Sequence, residues 1–193
     1  MVQLTGPKKI KCAVFISGNG SNLKSLIKYS KKKNSPISIE LIISDNSKAK
    51  GLKFGKIFKI TTKVFEYKNK LIAEKKIISV IKNKKIRLIC LAGFMRILSK
   101  VFIKSFNGKI LNIHPSLLPK YKGLNTHQRV LFNNEKYSGC TVHFVNSKLD
   151  GGKIILQKKV KISKVDNAKS LAKKILIQEH KLYPKAVGKV FIL

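Results

Sequence analysis

Asn112 and His114 stand two residues apart in LNIHPSLLP, Leu111 to Pro119. If Lys109 to His114 stays extended, both side chains leave the same face of a strand. An amide and an imidazole side by side are the donors a carbonyl reaction needs, because the carbonyl oxygen gains negative charge as a nucleophile adds. Neutral imidazole is a poor electrophile, so such a histidine is expected to keep a carboxylate nearby that raises its pKa. The chain has 42 basic and only 8 acidic residues, which makes each acid worth inspecting. Asp150, in LDGG at a strand end, is the best candidate, although from local sequence alone a plain turn aspartate is the simpler reading. Pro115 and Pro119 stiffen the loop that leaves the pair.

A second group lies in SGNGSN, residues 17 to 22, between an apolar run and a helical pattern. Glycines there let a backbone approach a ligand, and a helix N-terminus offers free N–H groups to an anion. The spacing matches neither the dinucleotide fingerprint nor the P-loop, and tight turns without ligands share it. His143 alternates with Val142 and Phe144 in a strand, which favours a core or supporting role, while His127 in NTHQR carries no further signal. Glu179 and His180 face a ligand or solvent, and spacing does not decide which. No histidine pair has metal-ligand spacing such as HExxH, and no GxSxG elbow is present, so neither a catalytic metal nor a serine nucleophile is expected.

The elements that must position these residues alternate along the chain. Strands are predicted at Ile10 to Ile16, Ile37 to Ser44, Ile86 to Leu91, Lys109 to Ile113, Cys140 to Val145 and Ile154 to Val160, with a brief extended piece from Phe58 to Phe65. Helical spacing follows SGNGSN up to the KKKNSP break, recurs near Ser47 to Lys56, and places Leu71, Ile72, Ile77, Ile78 and Ile81 on one stripe. Asn125 to Asn133 is a further helix candidate, and Asp166 is expected to cap a last helix reaching about Tyr183. Repeated βα units with apolar strands predict an α/β fold, a single domain over residues 1–193 built on a doubly wound, mostly parallel, Rossmann-like sheet. Ligands of such sheets bind beyond the carboxyl ends of the strands, where SGNGSN, AGFMRI and LNIHP all fall.

The formal charge of +34 makes a nucleic acid or membrane surface the first partner to consider. All but three basic residues are lysines, however, spread over every segment beside abundant isoleucine and asparagine, a set that AT-rich codons favour. Coding bias can supply such a charge without a partner, the lysine excess being either that or functional, and neither a specific nucleic acid nor a membrane is expected. No apolar run reaches membrane-spanning length. The N-terminal MVQLTGPKK lacks a following signal-peptide core, and a cytoplasmic protein is expected. Cys12, Cys90 and Cys140 are odd in number and lie in apolar settings, the pattern of buried thiols.

Taken together, ISGNGSNL (16–23), LAGFMRILS (91–99), LNIHPSLLPKYKGLNTH (111–127), TVHFVNSKLDGG (141–152), IILQ (154–157) and QEHKLYP (178–184) closely resemble the folate-dependent phosphoribosylglycinamide formyltransferases of purine synthesis, from about residue 10 to residue 190. The resemblance implies formyl transfer from 10-formyltetrahydrofolate, a co-substrate, to the amine of glycinamide ribonucleotide, without a metal. It implies Asn112, His114 and Asp150 as the catalytic trio, with the imidazole protonated. Gly20, Ser21 and Asn22 resemble the substrate-phosphate site, and Glu179 the acid that meets the ribose hydroxyls. Met95, Arg96, Ile97 and Leu98, with Asn112, Val145 and Asp150, resemble the folate pocket, and Leu118–Pro119 resembles a cis peptide. Where many relatives carry an arginine this chain reads FEYKNK, leaving Lys68 or Lys70 near the glutamate tail without the bidentate fork. The segment NTHQRVL departs from the family pattern, which leaves His127 and Arg129 without an assigned role. Methionyl-tRNA formyltransferase and formyltetrahydrofolate deformylase share the catalytic motif, but each normally has an extra domain, for which 193 residues are expected to leave no room. A basic nucleic-acid module would leave the Asn112, His114 and Asp150 arrangement unexplained. A monomer or weak homodimer is expected.

Overall fold

The structure, a computed structural model, describes residues 9–191. The expectation for the N-terminal stretch falls on residues 1–8, outside that range. Seven strands form one sheet in the order β3-β2-β1-β4-β5-β6-β7. These are β1 (Ile10–Ile16), β2 (Ile37–Ser44), β3 (Thr61–Val64), β4 (Leu88–Leu91), β5 (Lys109–His114), β6 (Tyr137–Phe144) and β7 (Ile154–Lys161). The first five pair in parallel, while β6 and β7 turn antiparallel at the edge. The expected doubly wound, mostly parallel α/β sheet is therefore what the chain forms.

The helices are α1 (Ser21–Ser30), α2 (Lys53–Phe58), α3 (Lys70–Asn83), α4 (Lys100–Ser105), α5 (Thr126–Phe132) and α6 (Ala168–Phe191). Alternation along β1 explains why both sheet faces are covered. Cys12, Val14 and Ile16 join the core under α1 and α6, whereas Ala13 and Phe15 join the one under α3 and α4. Both sides of β1 are thus apolar, the signature of a central parallel strand. The three cysteines are buried free thiols, with Cys12 and Cys90 sulfurs 3.8 Å apart.

Several boundaries differ from the sequence reading for identifiable reasons. Ile86 is not in β4, because Lys85 takes a left-handed φ of 56° and the Ile86 N–H closes α3 on Ile81 O at 2.9 Å. The region 47–56 begins as a 3₁₀ turn, Lys50–Leu52, and its helix runs through Phe58, which shortens the extended piece to β3. Helix α4 was not foreseen, although Ser99 caps it by accepting from Phe102 N at 3.0 Å. Strand β6 starts three residues early, at Tyr137.

Asp166 does not cap α6. Asn167 Oδ1 accepts from Ser170 N at 2.9 Å while Ser170 Oγ accepts from Asn167 N at 3.0 Å, a reciprocal cap of the usual box type. Asp166 instead accepts from Ser170 Oγ and Lys174 Nζ. Nor does α6 stop at Tyr183. Pro184 cannot donate to the carbonyl four residues back, and Ser25 Oγ on α1 donates to that carbonyl, His180 O, at 2.6 Å. With the freed acceptor satisfied, the helix continues to Phe191.

Candidate functional site

Strands β1 and β4 are neighbours at the point where the strand order reverses, so the loops leaving their carboxyl ends diverge and open a crevice. Ser17 N donates to Gly93 O at 3.0 Å across it, and Met95 N donates to Ser17 Oγ at 2.8 Å. The cavity above measures about 1130 Å³ and is lined by residues from the loops after β1, β4, β5 and β6 and from α6. That exceeds the ~300–1,000 Å³ typical of a pocket for one small ligand.

At its centre β5 presents Asn112 and His114, whose partners across β6 are His143 and Thr141. Asp150 reaches both from the β6–β7 loop. Its Oδ2 lies 3.4 Å from His114 Nδ1 and its Oδ1 3.5 Å from Asn112 Nδ2. Gly123 N donates to Oδ2 at 2.9 Å. The three residues singled out from sequence therefore converge in space, and His114 and the Asp150 side chain are only 5% and 9% exposed.

Two histidine tautomers follow from carbonyl partners, which can only accept. His114 Nε2 lies 2.8 Å from Tyr121 O and so carries the proton, leaving Nδ1 toward Asp150. His143 Nδ1 lies 2.8 Å from Phe144 O and likewise donates, leaving Nε2 to accept from Asn112 Nδ2 at 3.3 Å. His143 thereby turns the Asn112 amide so that its NH2 group faces the site, the supporting role the sequence favoured.

Burial opposes the charge expected on His114. Burial lowers its pKa below 6.5 and outweighs the raising influence of the Tyr121 carbonyl and Asp150. The ring is therefore neutral near pH 7, not already an imidazolium. Burial works to raise the Asp150 pKa, but hydrogen bonding within the site, the Gly123 N–H included, outweighs it, and the carboxyl titrates below the usual value. A carboxylate thus faces an unprotonated Nδ1, an arrangement that favours a proton arriving between them.

At one end of the cavity α1 begins without a side-chain cap at Gly20, whose φ is 70°. A Cβ on Gly20 would sit 2.8 Å from Gly51 Cα, so two glycine backbones touch and fix the loop. Gly20, Ser21 and Asn22 line the cavity, as does Glu179. Asn22 Nδ2 donates to Glu179 Oε2 at 2.7 Å, a tie absent from the sequence reading. Asn22 Oδ1 is buried with no hydrogen-bond partner among the described residues. Burial raises the Glu179 pKa, partly offset by the Asn22 amide.

At the other end Met95, Arg96, Ile97, Leu98 and Val145 form an apolar wall with one cation. Arg96 is held by Asp45 Oδ2 at 2.7 Å and lies 5.8 Å over the Tyr67 ring. Asp45, which also accepts from Ser17 Oγ at 2.6 Å, was legible as an acid closing β2 but was not singled out. Lys68 pairs with Glu66 at 3.4 Å, both exposed, and neither Lys68 nor Lys70 lines the cavity. His127 does line it, and its Nδ1 is buried with no partner among the described residues. Tyr121, Gly123, Lys169 and Leu176 were not foreseen, since backbone groups and helix-face positions carry no motif. The Leu118–Pro119 peptide is cis.

Comparison with known proteins places these features in context. Residues 10–187 match the family described as formyl transferase. The chain is 43% identical over 183 residues to the human trifunctional purine biosynthetic protein adenosine-3, covering 93% of this chain but only 18% of that protein's length. It is 42% identical to the phosphoribosylglycinamide formyltransferase of Haemophilus influenzae, covering 92% of this chain and 85% of that protein. The crystal structure of phosphoribosylglycinamide formyltransferase from Brucella melitensis superposes with a TM-score of 0.90 at 42% identity, covering 95% of this chain and 96% of that one.

Proposed function

The chain belongs to the formyl transferase family, and we propose that it transfers the formyl group of 10-formyltetrahydrofolate to the amine of glycinamide ribonucleotide. The observation that carries this reading is the convergence of Asn112, His114 and Asp150 in one cavity lined also by an uncapped helix start and an apolar wall. A phosphate suits the free N–H groups at Gly20 to Asn22. Glu179 Oε1 supplies an acceptor for ribose hydroxyls, and the Met95 to Leu98 wall with Val145 takes the flat apolar donor. 10-Formyltetrahydrofolate supplies an activated formyl carbon.

The residues act in sequence around that carbon. As the substrate amine forms its bond to carbon, His114 Nδ1 accepts the amine proton, directly or through water relayed by Asp150. The imidazolium so formed is held between the Tyr121 carbonyl and the Asp150 carboxylate. Asn112 Nδ2 and His114 Nδ1–H then donate to the oxyanion, and the proton passes to the departing nitrogen as its bond to carbon breaks. A histidine that rests neutral and becomes charged only when the oxyanion forms stabilises the transition state more than the ground state.

The test is to incubate the protein with 10-formyltetrahydrofolate and, in parallel, glycinamide ribonucleotide, initiator methionyl-tRNA or buffer, following tetrahydrofolate release. Release dependent on the ribonucleotide is expected. Transfer to the tRNA, or release at equal rate without an amine, would overturn the reading.

A further inference from the structure

Loop Tyr121–Asn125 supplies two of the contacts that define the catalytic pair, the Tyr121 carbonyl on His114 Nε2 at 2.8 Å and the Gly123 N–H on Asp150 Oδ2 at 2.9 Å. Its backbone is not one the chain adopts by itself. Tyr121, Gly123 and Asn125 have φ of 56°, 76° and 56°, and a left-handed conformation is strained for a residue other than glycine. Something must hold it.

The intervening residues show what does. Arg129 Nη1, one turn into α5, donates to Lys122 O at 2.7 Å and to Leu124 O at 3.4 Å, and the guanidinium lies 5.5 Å over the Tyr121 ring. Tyr121 and Gly123 thus serve the catalytic pair, while Lys122 and Leu124 between and beside them are gripped by Arg129. The Tyr121 hydroxyl donates to Glu135 at 2.9 Å and accepts from Asn133 Nδ2 at 2.9 Å, which fixes the ring under the guanidinium. Arg129 is absent from the cavity lining and pairs with no carboxylate among the described residues. Although Arg129 is itself exposed, it places its Nη1 hydrogens on these two carbonyls instead of leaving them to solvent. In a chain whose other basic residues are almost all lysines, both bonds leave one nitrogen while the planar guanidinium also covers the Tyr121 ring, a stacking face that a lysine ammonium lacks.

We propose that Arg129 is a positioning residue of the formyl-transfer site, clamping loop 121–125 so that Tyr121 O and Gly123 N–H stay in register with His114 and Asp150. The inference rests on the function proposed above. It is tested with Arg129→Met, which keeps the stem, and Arg129→Lys, which keeps one donor. In the Met variant kcat falls about tenfold to a hundredfold, the cost typical of a misplaced catalytic group, while KM for each substrate stays within about twofold. The Lys variant falls between it and the wild type. Activities are normalised to folded sites counted by ribonucleotide binding, so a loss of fold does not imitate the effect. Nitrogen-15 NMR of labelled histidine adds a readout independent of turnover, the His114 Nε2–H signal weakening as its exchange with solvent quickens. A wild type that transfers no formyl group sinks the proposed function, and the NMR comparison then judges the clamp. A Met variant with normal kcat per folded site, or with an unchanged His114 Nε2–H, overturns the clamp itself; where that variant does not fold, the same criteria apply to Arg129→Lys.

Discussion

Replacing Asp150 by asparagine keeps shape and one acceptor but removes a charge 3.4 Å from His114 Nδ1. The Gly123 N–H can still donate to the amide oxygen, so the loop has reason to stay in place. What is lost is the attraction for the imidazolium formed during reaction. At 3.4 Å and an effective dielectric between about 20 and 40, that attraction is about 2 to 5 kcal/mol. With about 1.4 kcal/mol per decade, kcat falls by about 1.5 to 3.5 orders of magnitude. Ribonucleotide affinity should change by less than about threefold, because the lost attraction exists only with a charged ring. Stopped-flow absorbance under single turnover measures the chemical step, and titration calorimetry measures ribonucleotide binding. A kcat within about threefold of wild type would refute the argument. So would a large loss of binding with chemistry unchanged, which would make Asp150 a substrate contact.

The pH profile follows from the ring that must start neutral. Activity requires unprotonated His114, so kcat/KM rises with pH through a midpoint below histidine's ordinary 6.5, Asp150 being ionised already at lower pH; an acid limb centred above 7 would contradict this. Glu179→Gln removes the charge from an acceptor proposed for the ribose hydroxyls and should raise ribonucleotide KM about tenfold with kcat nearly unchanged, as steady-state kinetics would show. Tyr183→Phe deletes a fully buried hydroxyl lying 3.1 Å from Leu91 O and 3.0 Å from Leu111 O on adjacent strands, and should lower the melting temperature by about 3–6 °C in a calorimetric scan.

Strands β1 and β2 were legible to the residue because apolar runs bounded by glycine or by Asp45-Asn46 leave the chain no other way to bury itself. Asn112 and His114 were legible as a pair from strand periodicity, whereas Asp150 needed the family resemblance, since its 38-residue separation from Asn112 is closed only by the antiparallel return of β6. Backbone partners were not legible at all. Tyr121 O, Gly123 N and Phe144 O set the tautomers and the carboxylate position, yet every residue has such groups, and only folding selects which ones act. The influence opposing a charge on His114 was not legible for a related reason. A nearby acid can be guessed from sequence, but the depth of burial that opposes it cannot.

The hydroxyl of Ser25 on the His180 carbonyl has a genetic consequence. Ser25 lies one turn beyond Asn22 and His180 adjoins Glu179, so the bond runs beside the Asn22–Glu179 tie, 155 residues apart in the chain. Pro184 is tolerated in mid-helix only while Ser25 answers for the missing N–H. The two positions should therefore be epistatic: Ser25→Ala is harmful beside Pro184 and nearly silent once Pro184→Ala has restored the helix's own donor. A survey of single substitutions would score Ser25 as indispensable and never discover that its importance is on loan from a proline in another helix.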